Sequence, residues 1–235
     1  MDIGKSFTFV FEDKDWVTKL LIAAAIFLLG ILFSWLLLIP LILAAALLLG
    51  YSVEITRRVI HRHPQLLPEW DNWGALIADG FKVIVICIVY ALPIIVASAC
   101  IGIPIGIFSN NGGDAANALG GIFGSLLGLF NFVWGIGMSL FLPAAIGIYA
   151  DTGELRAAFR FRDVWDLLRH NFVTYLITFL MSWVASVVGS LGAIVCGVGW
   201  LATLPYSYMV TGHLYGQAYL SARGQAAQAT IEPAA

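Results

Sequence analysis

Three side chains offer chemistry in otherwise apolar surroundings: Glu54, Asn131 and His213. An ionisable or amide group among apolar residues carries a solvation cost, so a specific partner or a function is expected for it. Glu54 precedes Arg57 and Arg58 by three and four residues. On a helix that spacing stacks the carboxylate beside both guanidinium groups. The choice there lies between an ion pair at a helix end and a proton or cation relay. His213 stands among Tyr206, Tyr208, Tyr215 and Tyr219, with Gln217 one turn on. An imidazole so placed is a hydrogen-bonded contact between helices, an axial ligand for a haem or chlorophyll-type pigment, or a substrate contact. Apart from that option at His213, no cofactor is expected. The Asn131 amide can bridge helices or meet a passing solute.

Other groups are weaker. His61-Arg62-His63 with Glu69 and Asp71 holds metal-capable atoms, but the intervening arginine opposes a cation, and no metal is expected. Gly189-Ser190-Leu191-Gly192 lacks the glycine of a nucleophile elbow, since Val188 stands two residues before the serine. No phosphate-binding loop is found. These readings favour a protein that is not an enzyme.

The elements that must position these residues follow from composition. The chain has 235 residues, 60% hydrophobic and 11% charged, and its mean hydropathy is +0.91. Soluble domains are about 45–50% apolar and about 25% charged. So large an excess points to lipid as the solvent. Cys87, Cys100 and Cys196 have no metal or redox spacing and read as small buried hydrophobes. The N-terminus lacks a basic leader region, and no cleavage is expected.

Charge then sets topology. All 12 Lys and Arg residues fall in the polar stretches at Lys5–Lys19, Arg57–Lys82, Arg156–Arg169 and Arg223, and of the 14 acidic residues only Asp114 lies away from these stretches and their flanks. This is the positive-inside pattern, and it places both termini in the cytoplasm. The chain reads as an all-α, polytopic helical bundle of six transmembrane helices in three hairpins, with cytoplasmic interfacial helices. Spans are expected at about 16–38, 39–60, 81–108, 119–149, 172–197 and 200–220, within one domain covering 1–222. Pro40 divides the first two. The first hairpin carries no charge at its apex, so it either crosses or stops inside the bilayer. Residues 223–235 read as a disordered cytoplasmic tail. Phe7, Phe9 and Phe11 alternate with polar residues, as in a strand-like arm or an amphipathic helix.

Trp16, Trp70, Trp73 and Trp165 lie beside charge at the expected interface and read as headgroup anchors. Glu154–Arg169 reads as an amphipathic helix in the headgroup layer, with Arg156, Arg160 and Arg162 toward anionic lipid. Rows of small residues allow close helix packing. Gly120, Gly124 and Gly128 form one row, and Gly212 and Gly216 another. Such rows serve packing within the chain or docking onto a second membrane subunit. The motifs around Asp15-Trp16, Glu69-Trp70 and Val164-Trp165 hint at a threefold repeat.

Several segments resemble a known family. They are Phe11-Glu12-Asp13-Lys14-Asp15-Trp16, Gly50-Tyr51 followed by Arg57-Arg58-Val59, Leu67-Pro68-Glu69-Trp70-Asp71-Asn72-Trp73, Asp79-Gly80-Phe81-Lys82 and Tyr90-Ala91-Leu92-Pro93. They resemble the prokaryotic integral-membrane family catalogued as domain of unknown function 4013, most strongly over the first hundred residues or so. The resemblance implies a multi-pass protein of a prokaryotic cytoplasmic membrane. It brings no activity and no functional residues.

The expected role is that of a non-enzymatic structural or accessory protein. It is either a subunit of a larger membrane assembly or a lipid-organising scaffold. Its expected partners are membrane lipids, with anionic headgroups on the cytoplasmic side, and other integral-membrane subunits; no nucleic acid is expected. The alternative is a transporter or channel for a lipid-like or small apolar solute, which requires Glu54, Asn131 and His213 to face one cavity.

Overall fold

A computed structural model of the chain describes residues 1–35, 38–194 and 199–231. Every regular element among the described residues is helical. Four helical stretches are long and apolar enough to cross a membrane: Ile39–Ile60, Trp73–Ser109, Ala116–Thr152 and Phe172–Leu191. A bent pair, Ile3–Glu12 with Trp16–Leu32, makes a fifth if taken as one broken span. The chain divides into two compact units, Met1–Ile86 with Pro143–Ala235, and Cys87–Leu142.

In the first unit, α1 (Ile3–Glu12) starts where the Asp2 side chain accepts the Lys5 backbone N–H at 3.0 Å. The alternating phenylalanines thus belong to a helix, which buries Ser6, Phe9 and Val10. The chain turns 95° into α2 (Trp16–Leu32). α3 (Ile39–Ile60) carries Pro40 in its first turn, where no N–H is needed. It ends in a Schellman motif, with bonds from His63 N–H to the Arg58 carbonyl (2.8 Å) and from Arg62 N–H to the Val59 carbonyl (3.1 Å). α4 (Trp73–Ala97) begins at Trp73. Asn72 caps it, accepting the Ala75 N–H at 3.3 Å. The third span, expected from residue 81, therefore continues a helix that begins at Trp73.

The last helix, α9 (Trp200–Ile231), lies at the centre of this unit and packs on α1, α2, α3 and α8 (Phe172–Leu191). It buries Met209, Val210, His213, Leu214 and Ala218. Against α3, the Ser52 hydroxyl donates to the Tyr208 carbonyl (2.9 Å) and the Thr56 hydroxyl to the Gly212 carbonyl (2.9 Å). A Cβ on Gly212 would strike the Ser52 carbonyl, and one on Gly216 the Val59 side chain. Close backbone approach at small residues replaces the hydrophobic drive that lipid cannot supply. α9 continues to Ile231, so helix extends into the segment expected to be a disordered tail.

The charged stretch after α6 (Asp114–Thr152) is not one helix, as expected for Glu154–Arg169. It is a 3₁₀ turn, Leu155–Phe159, followed by α7 (Phe161–His170). Val164 and Leu168 are buried four residues apart, leaving the arginines on the other face.

In the second unit, α4 continues through Pro93 to a π-helical turn at Ser98–Gly102, and then α5 (Ile103–Asn111). Pro104 cannot donate to a carbonyl in the preceding turn, and the widened turn accommodates its ring. This limb runs antiparallel to α6. Trp134 Nε1 donates to the Tyr90 carbonyl (3.0 Å), Asn131 Nδ2 to the Ser98 hydroxyl (3.3 Å), and Ser109 faces Gly120. A Cβ on Gly124 or Gly128 would meet nothing within 4 Å, so this row makes its close contact at Gly120 and not along its length. Cys100 is exposed and Cys87 half-buried, against the expectation of burial, and both are free thiols; Cys196 lies outside the described residues.

Candidate functional site

Polar side chains gather at one end of the first unit, around the loop 61–72. Lys19 is the pivot. It lies in the first turn of α2, yet its side chain is only 2% exposed. Its Nζ meets Asp13 at 3.0 Å and Glu69 at 2.7 Å, and donates to the Leu67 carbonyl at 3.3 Å. Burial alone would raise the Asp13 carboxyl. The hydrogen bonds from Lys19 and from the Asp15 N–H outweigh it and hold Asp13 below its ordinary range.

Aromatic residues fix the same loop. The Tyr51 hydroxyl donates to the Pro68 carbonyl at 2.9 Å, and its ring stacks on Trp70 at 4.3 Å between centroids. Trp70 Nε1 donates to the Lys19 carbonyl at 3.2 Å. Trp70 was expected among lipid headgroups but is half-buried against Tyr51; its indole closes the loop onto α2 and α3. Trp16 is half-buried too, edge-on to Phe11. Trp73 and Trp165 are exposed.

A second node ties α3, α4 and the end of α6. The Asp79 carboxylate accepts Arg57 at 2.9 Å, Lys82 at 3.2 Å and the Tyr149 hydroxyl at 2.6 Å. Arg57 also meets Glu54 at 2.5 Å and donates to the Ala150 carbonyl at 3.3 Å. Glu54 is shared with Arg58 at 3.1 Å, so the ion-pair geometry read from its spacing is present. Beside this node, Gly50 and Gly80 let the α3 and α4 backbones touch. A Cβ on Gly50 would collide with the Leu76 carbonyl, and one on Gly80 with the Ala46 carbonyl.

His213 is 2% exposed. Its Nδ1 lies 2.9 Å from the Ser6 hydroxyl and 3.4 Å from Gln217 Nε2, and its ring stacks on Phe9 at 4.4 Å. These contacts are those of an interhelical histidine between α9 and α1. His213 lines a cavity of about 740 Å³ with Lys5, Lys14, Arg62 and Leu220. Glu54 lines a different one of about 310 Å³ with Asp71 and Asp79. Asn131 belongs to the second unit, where Ser98 is its partner. Glu54 and His213 therefore do not share a cavity. Arg156, Arg160 and Arg162 are exposed, with Arg160 3.8 Å from Asp163. Among the described residues no three His, Cys, Asp or Glu side chains converge as metal ligands.

Sequence reasoning treated Lys19 as one more positive marker and gave no role to Tyr51 or Tyr149. A signal for Lys19 was available. A lysine three residues into an unbroken apolar stretch, with acidic residues just before it, needs a buried partner.

One family model, described as protein of unknown function (DUF4013), matches residues 33–198. No curated protein and no solved structure matches the chain.

Proposed function

We propose, for a chain that belongs to the DUF4013 family of proteins of unknown function, a non-enzymatic role as a structural or accessory protein of the cytoplasmic membrane of a prokaryote. It acts as a subunit of a larger membrane assembly or as a lipid-organising scaffold. One observation carries this reading. Buried Lys19 and half-buried Asp79 are engaged in holding helices and one loop together, Lys19 with Asp13 and Glu69, and Asp79 with Arg57 and Lys82. Groups saturated in this way give a rigid platform and do not stand poised for turnover.

The proposed topology has six crossings in three hairpins, with both termini cytoplasmic. α2 is short for a span at 17 residues. α9 is more polar than the four long apolar stretches, but a helix surrounded by other helices need not be apolar toward lipid. Counting both with the four apolar stretches gives an even number. An even number keeps every Lys/Arg cluster on one side. Arg156 and Arg160 before α7 and Arg162 within it meet anionic headgroups on that side.

The test is gentle extraction of the full chain from its native membrane, followed by mass spectrometry and an absorption spectrum. A stoichiometric membrane partner is expected for the accessory-subunit form. Recovery as a single species with lipid alone overturns that form and leaves the scaffold. A pigment band would overturn the assignment of His213 as a packing residue.

A further inference from the structure

The 740 Å³ cavity is unlike the saturated nodes around it. Its rim carries Lys5, Lys14 and Arg62 as cations and Glu12 and Asp15 as carboxylates, all exposed. Among the described residues the ion pairs formed include none of these five, although Lys19 and Asp79 nearby satisfy every charge they meet. The floor is buried: Phe9, Val59, Leu67 and His213. The cavity thus offers both signs of charge at its mouth and an apolar base.

Arg62 supplies a second, independent observation. It follows His61, the C-cap of α3, and has φ +52°, the left-handed position that a Schellman motif normally gives to glycine. A non-glycine residue there costs free energy, and such strain gathers where a side chain must be aimed at a ligand. Here the strained backbone puts a guanidinium on the cavity rim, without an ion-pair partner among the described residues.

We propose that this cavity binds the headgroup of a zwitterionic phospholipid. Arg62, Lys5 and Lys14 take the phosphate, Glu12 and Asp15 take the ammonium, and Phe9, Val59 and Leu220 receive the start of an acyl chain. Phosphate suits a guanidinium in the bidentate geometry. An ammonium suits carboxylates left free for it. The site deepens the lipid-organising reading and rests on it.

The experiment uses the full chain in detergent and native mass spectrometry. Three additions are compared at equal concentration: phosphatidylethanolamine, phosphatidylglycerol and water-soluble phosphoethanolamine. Phosphatidylethanolamine is expected to be retained as one adduct per chain, at least fivefold above either of the others. Arg62→Gly should reduce that adduct at least fivefold while the melting temperature holds or rises, because glycine relieves the left-handed residue. Arg62→Lys should restore at least half of the adduct. Glu12→Gln should narrow the preference over phosphatidylglycerol. Unchanged retention in Arg62→Gly, equal binding of the two lipids, or binding of phosphoethanolamine as strong as of the lipid each overturns the proposal. Recovery of the chain from the soluble fraction without detergent instead ends the membrane reading itself.

Discussion

Replacing Lys19 by methionine keeps the length of the side chain and removes its charge, so it isolates the loop clamp. The lysine side chain is 2% exposed, Asp13 10% and Glu69 53%. Glu69 is half in solvent, and its share is small, about 0.5 kcal/mol. Asp13 is different. Stripping one partner from a buried ion pair costs about 3–5 kcal/mol, because the remaining charge stays desolvated. The Asp15 N–H still reaches the Asp13 carboxylate at 2.9 Å, which argues for the lower end. A loss of about 3 kcal/mol is expected, taken at the loop and not across the whole fold. At 1.4 kcal/mol per factor of ten, amide hydrogen exchange in residues 61–72 should quicken about a hundredfold. The double variant Lys19→Met with Asp13→Asn removes both charges and should return exchange to within about threefold of the parent. An increase below about threefold in the single variant, or no recovery in the double, refutes the clamp.

Gly50→Ala and Gly80→Ala each place a methyl on the backbone carbonyl of the facing helix, and each should destabilise by about 3 kcal/mol or more, read as a fall in detergent-resistant melting temperature; Gly74→Ala, with open space around it, is the control and should change little. The clamp should also respond to acid. Asp13 is held below its ordinary value of 3.8, so its contribution is complete above that value and is lost as pH falls through the lower, folded value. Protease cleavage in 61–72 should therefore be flat from about pH 5 to 8 and rise below about pH 4, and Asp13→Asn should remove that rise.

Much of the architecture was legible because lipid imposes simple rules. Pro40 marked the start of α3, and the polar stretch at 61–72 marked a connection. Helical class followed from the need to satisfy backbone polar groups internally. The spans expected at α2 and α9 are not among the four apolar stretches, since one is short and the other polar, and hydropathy measures the solvent a helix faces and not its neighbours. The glycine rows show the same limit. A four-residue repeat within α6 was visible, yet Gly124 and Gly128 meet nothing, whereas Gly50 and Gly80 pair across two helices with no repeat to announce them. Trp70 was legible as an aromatic beside charge. Its stacking on Tyr51, nineteen residues earlier, depends on the tertiary path of the loop. For the same reason the Arg62 backbone conformation could not be read from its letter.

The central place of α9 also orders the making of the protein. Translation produces this helix after α1, α3 and α8, yet Ser6 of α1 and Ser52 and Thr56 of α3 each find a partner on it. Until the ribosome has delivered residues 200–220, those hydroxyls have no cross-helix acceptor, and α1, α3 and α8 enclose an unfilled groove. The early helices therefore complete their cross-helix bonding only when this segment is present.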